Sequence, residues 1–215
     1  MKQKVYNLIV LDASGSMYSI REEAIAGVVE TIQTIRAAQK KNEGQEHFLT
    51  LVVFNTCEIA TVYDRMPIRK VPDFKEKDYQ PDAATPLYDA MGQAITHLHR
   101  HVCEDDNVLV TIITDGYEND SKEWSHSKIF SLVDKLKESN WLFTYIGANQ
   151  DALKVARSFG IEHSLNFDAD ENGTKAMFLR ETHSRACFYN KLASGMGFCE
   201  AKTEDYFAEE DDETE

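Results

Sequence analysis

The chain has 215 residues, 42% of them apolar, with 37 acids and 23 bases for a formal net charge of −14, and its 24.5 kDa suffice for one domain of ordinary size with its own core. No run approaches the roughly 20 apolar residues of a membrane-spanning helix, the segment after Met1-Lys2-Gln3-Lys4 is too short for a secretion signal, and the cysteines Cys57, Cys103, Cys187 and Cys199 lack disulfide-like spacing, so the expectation is a cytoplasmic protein with reduced thiols. Eight acids and no base in residues 204–215 predict a disordered acidic tail, and the remaining 29 acids against 23 bases exclude the concentrated basic surface of a nucleic-acid binder.

Val5-Tyr6-Asn7-Leu8-Ile9-Val10-Leu11 is a nearly continuous apolar run ending in Asp12, the pattern of a strand buried on both faces. From Ile20 to Ala38 the residues Ile25, Val28, Val29, Ile32 and Ile35 fall at helical spacing, and Asn42-Glu43-Gly44 ends that helix. Phe48 to Phe54 and Ile59 to Tyr63 read as an antiparallel edge hairpin turned by Asn55-Thr56-Cys57. Residues 64–84 hold three of the four prolines and read as a long surface loop.

Thr85-Pro86 opens the next helix, with Thr85 a natural cap and the proline in its first turn, and Leu87, Met91, Ile95 and Leu98 share one face. Val108 to Thr114 is a second buried-strand run, and it too ends in an aspartate, Asp115. A helix (about 127–138), a strand (141–146), a helix (151–159), a short strand (163–166) and a last helix (about 173–192) follow. Strands alternating with helices predict an α/β fold: a doubly wound, mostly parallel sheet with an antiparallel edge hairpin and helices on both faces. Residues 1–203 are expected to form one domain with a helical extension from about 167.

Open parallel sheets bind ligands beyond the carboxyl ends of their strands. Asp12 and Asp115 both sit at such ends, Ser14 and Ser16 lie in the tight turn that Gly15 permits, and Thr85 can approach from the side. Five hard oxygen donors without sulfur or imidazole select magnesium, calcium or manganese over zinc or copper. Two carboxylates only neutralise a divalent ion, so the metal stays electrophilic toward an outside oxygen ligand.

Asp12-x-Ser14-x-Ser16, the threonine of Ala84-Thr85-Pro86-Leu87-Tyr88-Asp89-Ala90, and Thr114-Asp115-Gly116 together resemble the metal-ion-dependent adhesion site of von Willebrand factor type A (VWA) domains, over about residues 4–166. The resemblance, to intracellular members of bacterial type, implies a Rossmann-like doubly wound sheet and magnesium held by Asp12, Ser14, Ser16, Thr85 and Asp115. It also implies a non-enzymatic binding or scaffolding role toward a protein partner, whose Asp or Glu carboxylate could complete the metal; hydropathy and charge argue against membrane and nucleic acid. One departure is Ala83-Ala84, where a glycine often precedes the threonine. Tyr18, Tyr117 and Trp124 are candidates for aromatic contacts with that partner.

Other patterns carry less. His97, His99 and His101, with Cys103 beyond, suggest zinc, but two ligands a helical turn apart do not make a site, and a solvated helix face is the expectation. Asp168-Ala169-Asp170-Glu171-Asn172-Gly173 imitates a calcium loop, yet its twelfth position is Leu179, so it reads as the cap of the last helix. An aspartate after a first strand also serves phosphoester hydrolases of the haloacid-dehalogenase type, which need a second acid where Ser14 stands. A subunit in which the metal merely stiffens loops is the third alternative.

Overall fold

The computed structural model describes residues 2–148 and 151–208. The apolar run after Lys4 forms β1 (Gln3–Asp12), the central strand of a six-stranded sheet. Beside it on one side lie β2 (Gln45–Phe54) and the edge strand β3 (Ile59–Pro67). On the other side follow β4 (Asn107–Thr114), β5 (Trp141–Ala148) and β6 (His163–Phe167). The order is β3-β2-β1-β4-β5-β6, all neighbours parallel except the β2–β3 pair. The predicted doubly wound sheet with an antiparallel edge hairpin is therefore the observed fold.

Alternation along β1 explains why both faces are covered. Val5, Ile9 and Leu11 point into one core layer and Tyr6, Leu8 and Val10 into the other. Helices α1 (Arg21–Lys41), α5 (Glu171–Ala193) and the short α6 (Phe198–Ala201) close the first layer. Helices α2 (Leu87–His99), α3 (His126–Lys137) and α4 (Ala152–Ser158) close the second. In α1, Ala24, Val28, Thr31, Ile32, Ile35 and Ala38 form the buried stripe, and Gly27 lets α5 approach: a Cβ there would lie 2.1 Å from the Phe178 ring.

Within the first layer lies a buried ion pair. Arg185 of α5 is completely buried and meets Glu181 at 2.6 Å. It also donates to Asn7 Oδ1 on β1 (3.1 Å), Thr111 Oγ1 on β4 (2.8 Å) and the Tyr189 hydroxyl (3.1 Å). Helix α5 is thus fastened to the two middle strands by a cation whose donors are used, the arrangement that burial of a charge demands.

Two predicted features differ. Thr85 does not cap α2: Pro86 occupies the cap position and no side-chain cap bond is made there. The start of the helix is instead satisfied by a distant loop, since Tyr88 N–H donates to Glu118 Oε2 (2.9 Å) and Asp89 N–H to Ser121 Oγ (3.0 Å). At the C-terminus, the acid count conceals two aromatics that pack on the body: Tyr206 and Phe207 are buried, and Glu204 pairs with Lys191 at 2.5 Å. Of the stretch read as a tail, residues 204–208 therefore belong to the domain, and 209–215 lie outside the described residues.

The histidines behave as an occupied surface. His97 Nε2 lies 3.0 Å from Asp64 Oδ1, His101 Nδ1 bonds the His97 carbonyl, and the His99 ring stands edge-on to Trp141. Asp170 caps α5 through Gly173 N–H at 2.7 Å. Cys57, Cys103 and Cys199 are exposed thiols. Among the described residues no helix is long and apolar enough to cross a membrane.

Candidate metal centre

Strands β1 and β4 are neighbours, yet the chain leaves β1 toward α1 in one layer and β4 toward α3 in the other. Their carboxyl ends flank the crevice where such sheets bind ligands. After Asp12 the chain turns through a short 3-10 segment, Gly15–Ile20, which carries Ser16 and anchors itself by burying Met17 and Ile20.

The structure brings the sequence-selected residues together. Ser14 N–H donates to Asp12 Oδ1 (2.7 Å), Ser14 Oγ lies 3.2 Å from Ser16 Oγ, and Ser16 Oγ donates to Asp115 Oδ1 (2.6 Å). Thr85 arrives from the α2 side: a Cβ built on Gly116 would stand 3.1 Å from Thr85 Oγ1 and 3.9 Å from Asp12 Oδ2. A side chain at position 116 would press on this hydroxyl, which explains the glycine after Asp115. Thr85 itself is held through its backbone, N–H to Asn119 Oδ1 (2.8 Å) and C=O from Asn119 N–H (3.2 Å), leaving its hydroxyl for the crevice.

Electrostatically the cluster is incomplete. Asp12, Ser14 and Thr85 are buried, Asp115 is half-buried, and Ser16 is exposed. Burial pushes the Asp12 carboxyl up to about 6 against the hydrogen bonds from Thr114 and Ser14, with the Asp115 charge adding to the rise. Burial likewise raises Asp115. Among the described residues no lysine, arginine or histidine forms an ion pair with either aspartate. Two carboxylates and three hydroxyls converging without a cation fit a hard divalent ion. Among the described residues no group of three or more His, Cys, Asp or Glu is placed to hold a metal, so any ion here would rest on the two carboxylates and the hydroxyls.

The partner-facing candidates separate. Tyr18 and Tyr117 are 71% and 60% exposed, on the two loops that also carry Ser16 and Asp115. Trp124 is half-buried with its ring over Gly92 of α2, where a Cβ would come within 2.0 Å of it, so it packs against the second core layer.

Several functional neighbours were not singled out from sequence. Thr114, although within the Thr114-Asp115-Gly116 motif, donates its hydroxyl to Asp12 Oδ2 (2.5 Å) and accepts from Gly116 N–H (3.1 Å). Asp89 accepts from the N–H groups of Lys122, Glu123 and Trp124 (2.8, 3.0 and 2.7 Å), clasping the β4–α3 loop to α2. Tyr79, fully buried, donates to the Asp12 carbonyl (2.7 Å). An acid three residues into a helix is the one signal that could have marked Asp89; nothing local marks Tyr79.

No protein-family model and no curated protein sequence matches the chain. Solved structures do. The SpRpn10 VWA domain matches with a TM-score of 0.59 at 12% identity, over 84% of this chain and 95% of that one. Proximal thread matrix protein 1 from the mussel byssus matches with a TM-score of 0.60 at 14% identity, over 86% of this chain and 47% of that one, so the chain spans about half of the mussel protein. The manganese-loaded Plasmodium vivax TRAP protein matches with a TM-score of 0.52 at 18% identity, over 82% of this chain and 71% of that one. At such identities the likeness concerns architecture, and with the strand order and edge hairpin above it establishes that the chain has the von Willebrand factor type A fold.

Proposed function

We propose that the chain is a non-enzymatic protein-binding module that holds a divalent ion, magnesium in the first instance, through Asp12, Ser14, Ser16, Thr85 and Asp115, and uses it to engage an Asp or Glu of a protein partner. The observation that carries this reading is the uncompensated pair of carboxylates in a ring of hydroxyls at the divergence of β1 and β4. The ion would neutralise Asp12 and Asp115 and retain affinity for one more oxygen anion; when bound, it supplies Lewis acidity toward that ligand. Ser16, exposed, lies at the side from which a partner arrives, and Tyr18 and Tyr117 offer it aromatic surface. That a similar fold carries manganese in the TRAP structure supports a metal here.

Titration calorimetry with Mg2+ and Mn2+, together with partner capture in the presence and absence of EDTA, tests the proposal. Binding of metal and of partner should both be lost in Asp12→Ala. Partner capture that survives EDTA and this substitution would sink it, and magnesium-dependent phosphoester turnover above an Asp12→Asn control would replace it with a hydrolase.

A further inference from the structure

We propose that Tyr79 is a positioning residue of the metal centre, fixing the main chain at Asp12 so that its carboxylate meets the hydroxyl ligands; this rests on the metal-binding reading above. The loop between β3 and α2 runs alongside the metal-binding turn and is bonded to it step by step. Tyr79 O–H donates to the Asp12 carbonyl (2.7 Å), Asp82 N–H to the Ala13 carbonyl (2.9 Å), and Gly15 N–H to the Ala83 carbonyl (3.0 Å). The next contact, Thr56 N–H to the Ala84 carbonyl (3.1 Å), leads directly to the ligand Thr85.

In this series Tyr79 alone acts through a side chain, and it acts on a residue that carries a ligand carboxylate. The carboxylate oxygens of Asp12 are held by Ser14 N–H and Thr114 O–H, and its carbonyl by Tyr79. Tyr79 is clamped in turn: Arg21, the first residue of α1, donates from Nε to the Tyr79 carbonyl (3.1 Å) and from Nη2 to the Glu76 carbonyl (3.0 Å). A phenol buried at 0% exposure and tethered at both ends is a rigid strut from α1 to the end of β1. Without its hydroxyl the Asp12 peptide keeps only the bond of its Ala13 N–H to the Phe54 carbonyl on β2 (2.8 Å) and can tilt about it, shifting the carboxylate. Groups that orient metal ligands in this indirect way typically change affinity by about ten- to a hundredfold when removed.

Tyr63 supplies an internal control. Its hydroxyl donates to the Pro72 carbonyl (3.3 Å), tethering the other end of the same loop without touching a ligand residue. Tyr79→Phe removes a buried phenol bond of 2.7 Å and Tyr63→Phe a partly buried one of 3.3 Å, and both should lower the melting temperature in EDTA, Tyr79→Phe the more. In Mn2+ titrations of the full chain followed by electron paramagnetic resonance, Tyr79→Phe should weaken binding about tenfold and Tyr63→Phe less than about twofold. Equal affinity of Tyr79→Phe and wild type, or equal weakening by the two variants, overturns the proposal. Should Tyr79→Phe not fold, 3-fluorotyrosine placed at position 79 or at position 63 keeps the hydroxyl, and only the former should shift its fluorine resonance on saturation with Mg2+; a static resonance at position 79 overturns the proposal. A wild-type chain that binds neither Mg2+ nor Mn2+ removes the metal-binding reading itself, an outcome distinct from all of these.

Discussion

Two polar clusters are built on the same pair of strands. Asn7 on β1 and Thr111 on β4 hold the guanidinium of Arg185, while at the ends of these strands Asp12 and Asp115 meet Ser14, Ser16 and Thr85. The first cluster is balanced in charge: one buried cation, one buried carboxylate at 2.6 Å, and neutral acceptors for the remaining donors, with only Glu181 Oε2 left without a hydrogen bond. Among the described residues the second joins only carboxylates and hydroxyls. Burial of polar groups is common to both, so burial does not distinguish a site from a structural fastening. The charge imbalance does, because an uncompensated buried carboxylate persists only where something outside the chain completes it or where it takes up a proton.

The largest effect should come from breaking the balanced cluster. Arg185→Met leaves Glu181 buried without its counter-charge and should lower the unfolding free energy by about 3–5 kcal/mol, measured by urea denaturation. The double variant Arg185→Met/Glu181→Leu should recover most of that loss, since a matched apolar pair tolerates burial. A single variant that loses under about 1 kcal/mol would show that the network is not a closed fastening.

Acid titration sharpens the contrast, because the two regions contain groups displaced in opposite directions. His47 on β2 is buried, and desolvation, aided by the Arg185 charge, pushes its pKa from 6.5 down to about 4. Between about pH 4 and 6.5 the unfolded chain therefore binds a proton that the folded one refuses, and stability rises with pH. Asp12 is moved from 3.8 up to about 6, so over nearly the same window the folded chain holds a proton that the unfolded one has lost, and stability falls with pH. Each contribution is about 2–3 kcal/mol and the signs oppose. In EDTA the two should largely cancel between pH 4.5 and 6.5. If the ion binds as proposed, saturating Mg2+ keeps Asp12 ionised and removes the falling contribution, so only the His47 rise remains and stability in Mg2+ should climb by about 2–3 kcal/mol across this interval. Urea melts with identical pH profiles in EDTA and Mg2+ would break the comparison.

The contrast also separates what the sequence shows from what it conceals. Runs such as Val5–Leu11 and Val108–Thr114 announce strands covered on both faces, and the aspartates at their ends mark the crevice, because strand periodicity and chain order survive in one dimension. Arg185 gives no such signal. It stands in a helix of mixed composition, and only the approach of α5 to Asn7 and Thr111, 178 and 74 residues away, turns it into a buried ion. Tyr79 and Asp89 are hidden for the same reason: their partners lie in other loops, whose course is set by tertiary contacts. The acid count around Tyr206 and Phe207 misled in the opposite direction, since two buried aromatics outweigh the solvation of the neighbouring carboxylates at residues 204 and 205.

The smallest predicted effect lies at the position where the sequence departs from its resemblance. Ala83 adopts φ 63°, the left-handed region that L-residues avoid and glycine enters freely. The conformation is imposed from both sides: Ala83 N–H donates to Asp82 Oδ1 (2.7 Å), and the Ala83 carbonyl accepts from Gly15 N–H (3.0 Å), aligning the loop beside the turn that carries Ser14 and Ser16. The left-handed alanine therefore stores strain next to Thr85, as segments beside functional sites often do. Ala83→Gly should relieve it and raise the stability of the metal-free chain by about 0.5–1 kcal/mol, glycine's greater freedom in the unfolded chain offsetting part of the gain. Thermal melts in EDTA measure this. The Mn2+ affinity should change less than about twofold, because the hydrogen bonds of residue 83 are made by its backbone and remain available to glycine. A loss of stability would mean that the alanine methyl contributes packing worth more than the backbone strain at residue 83.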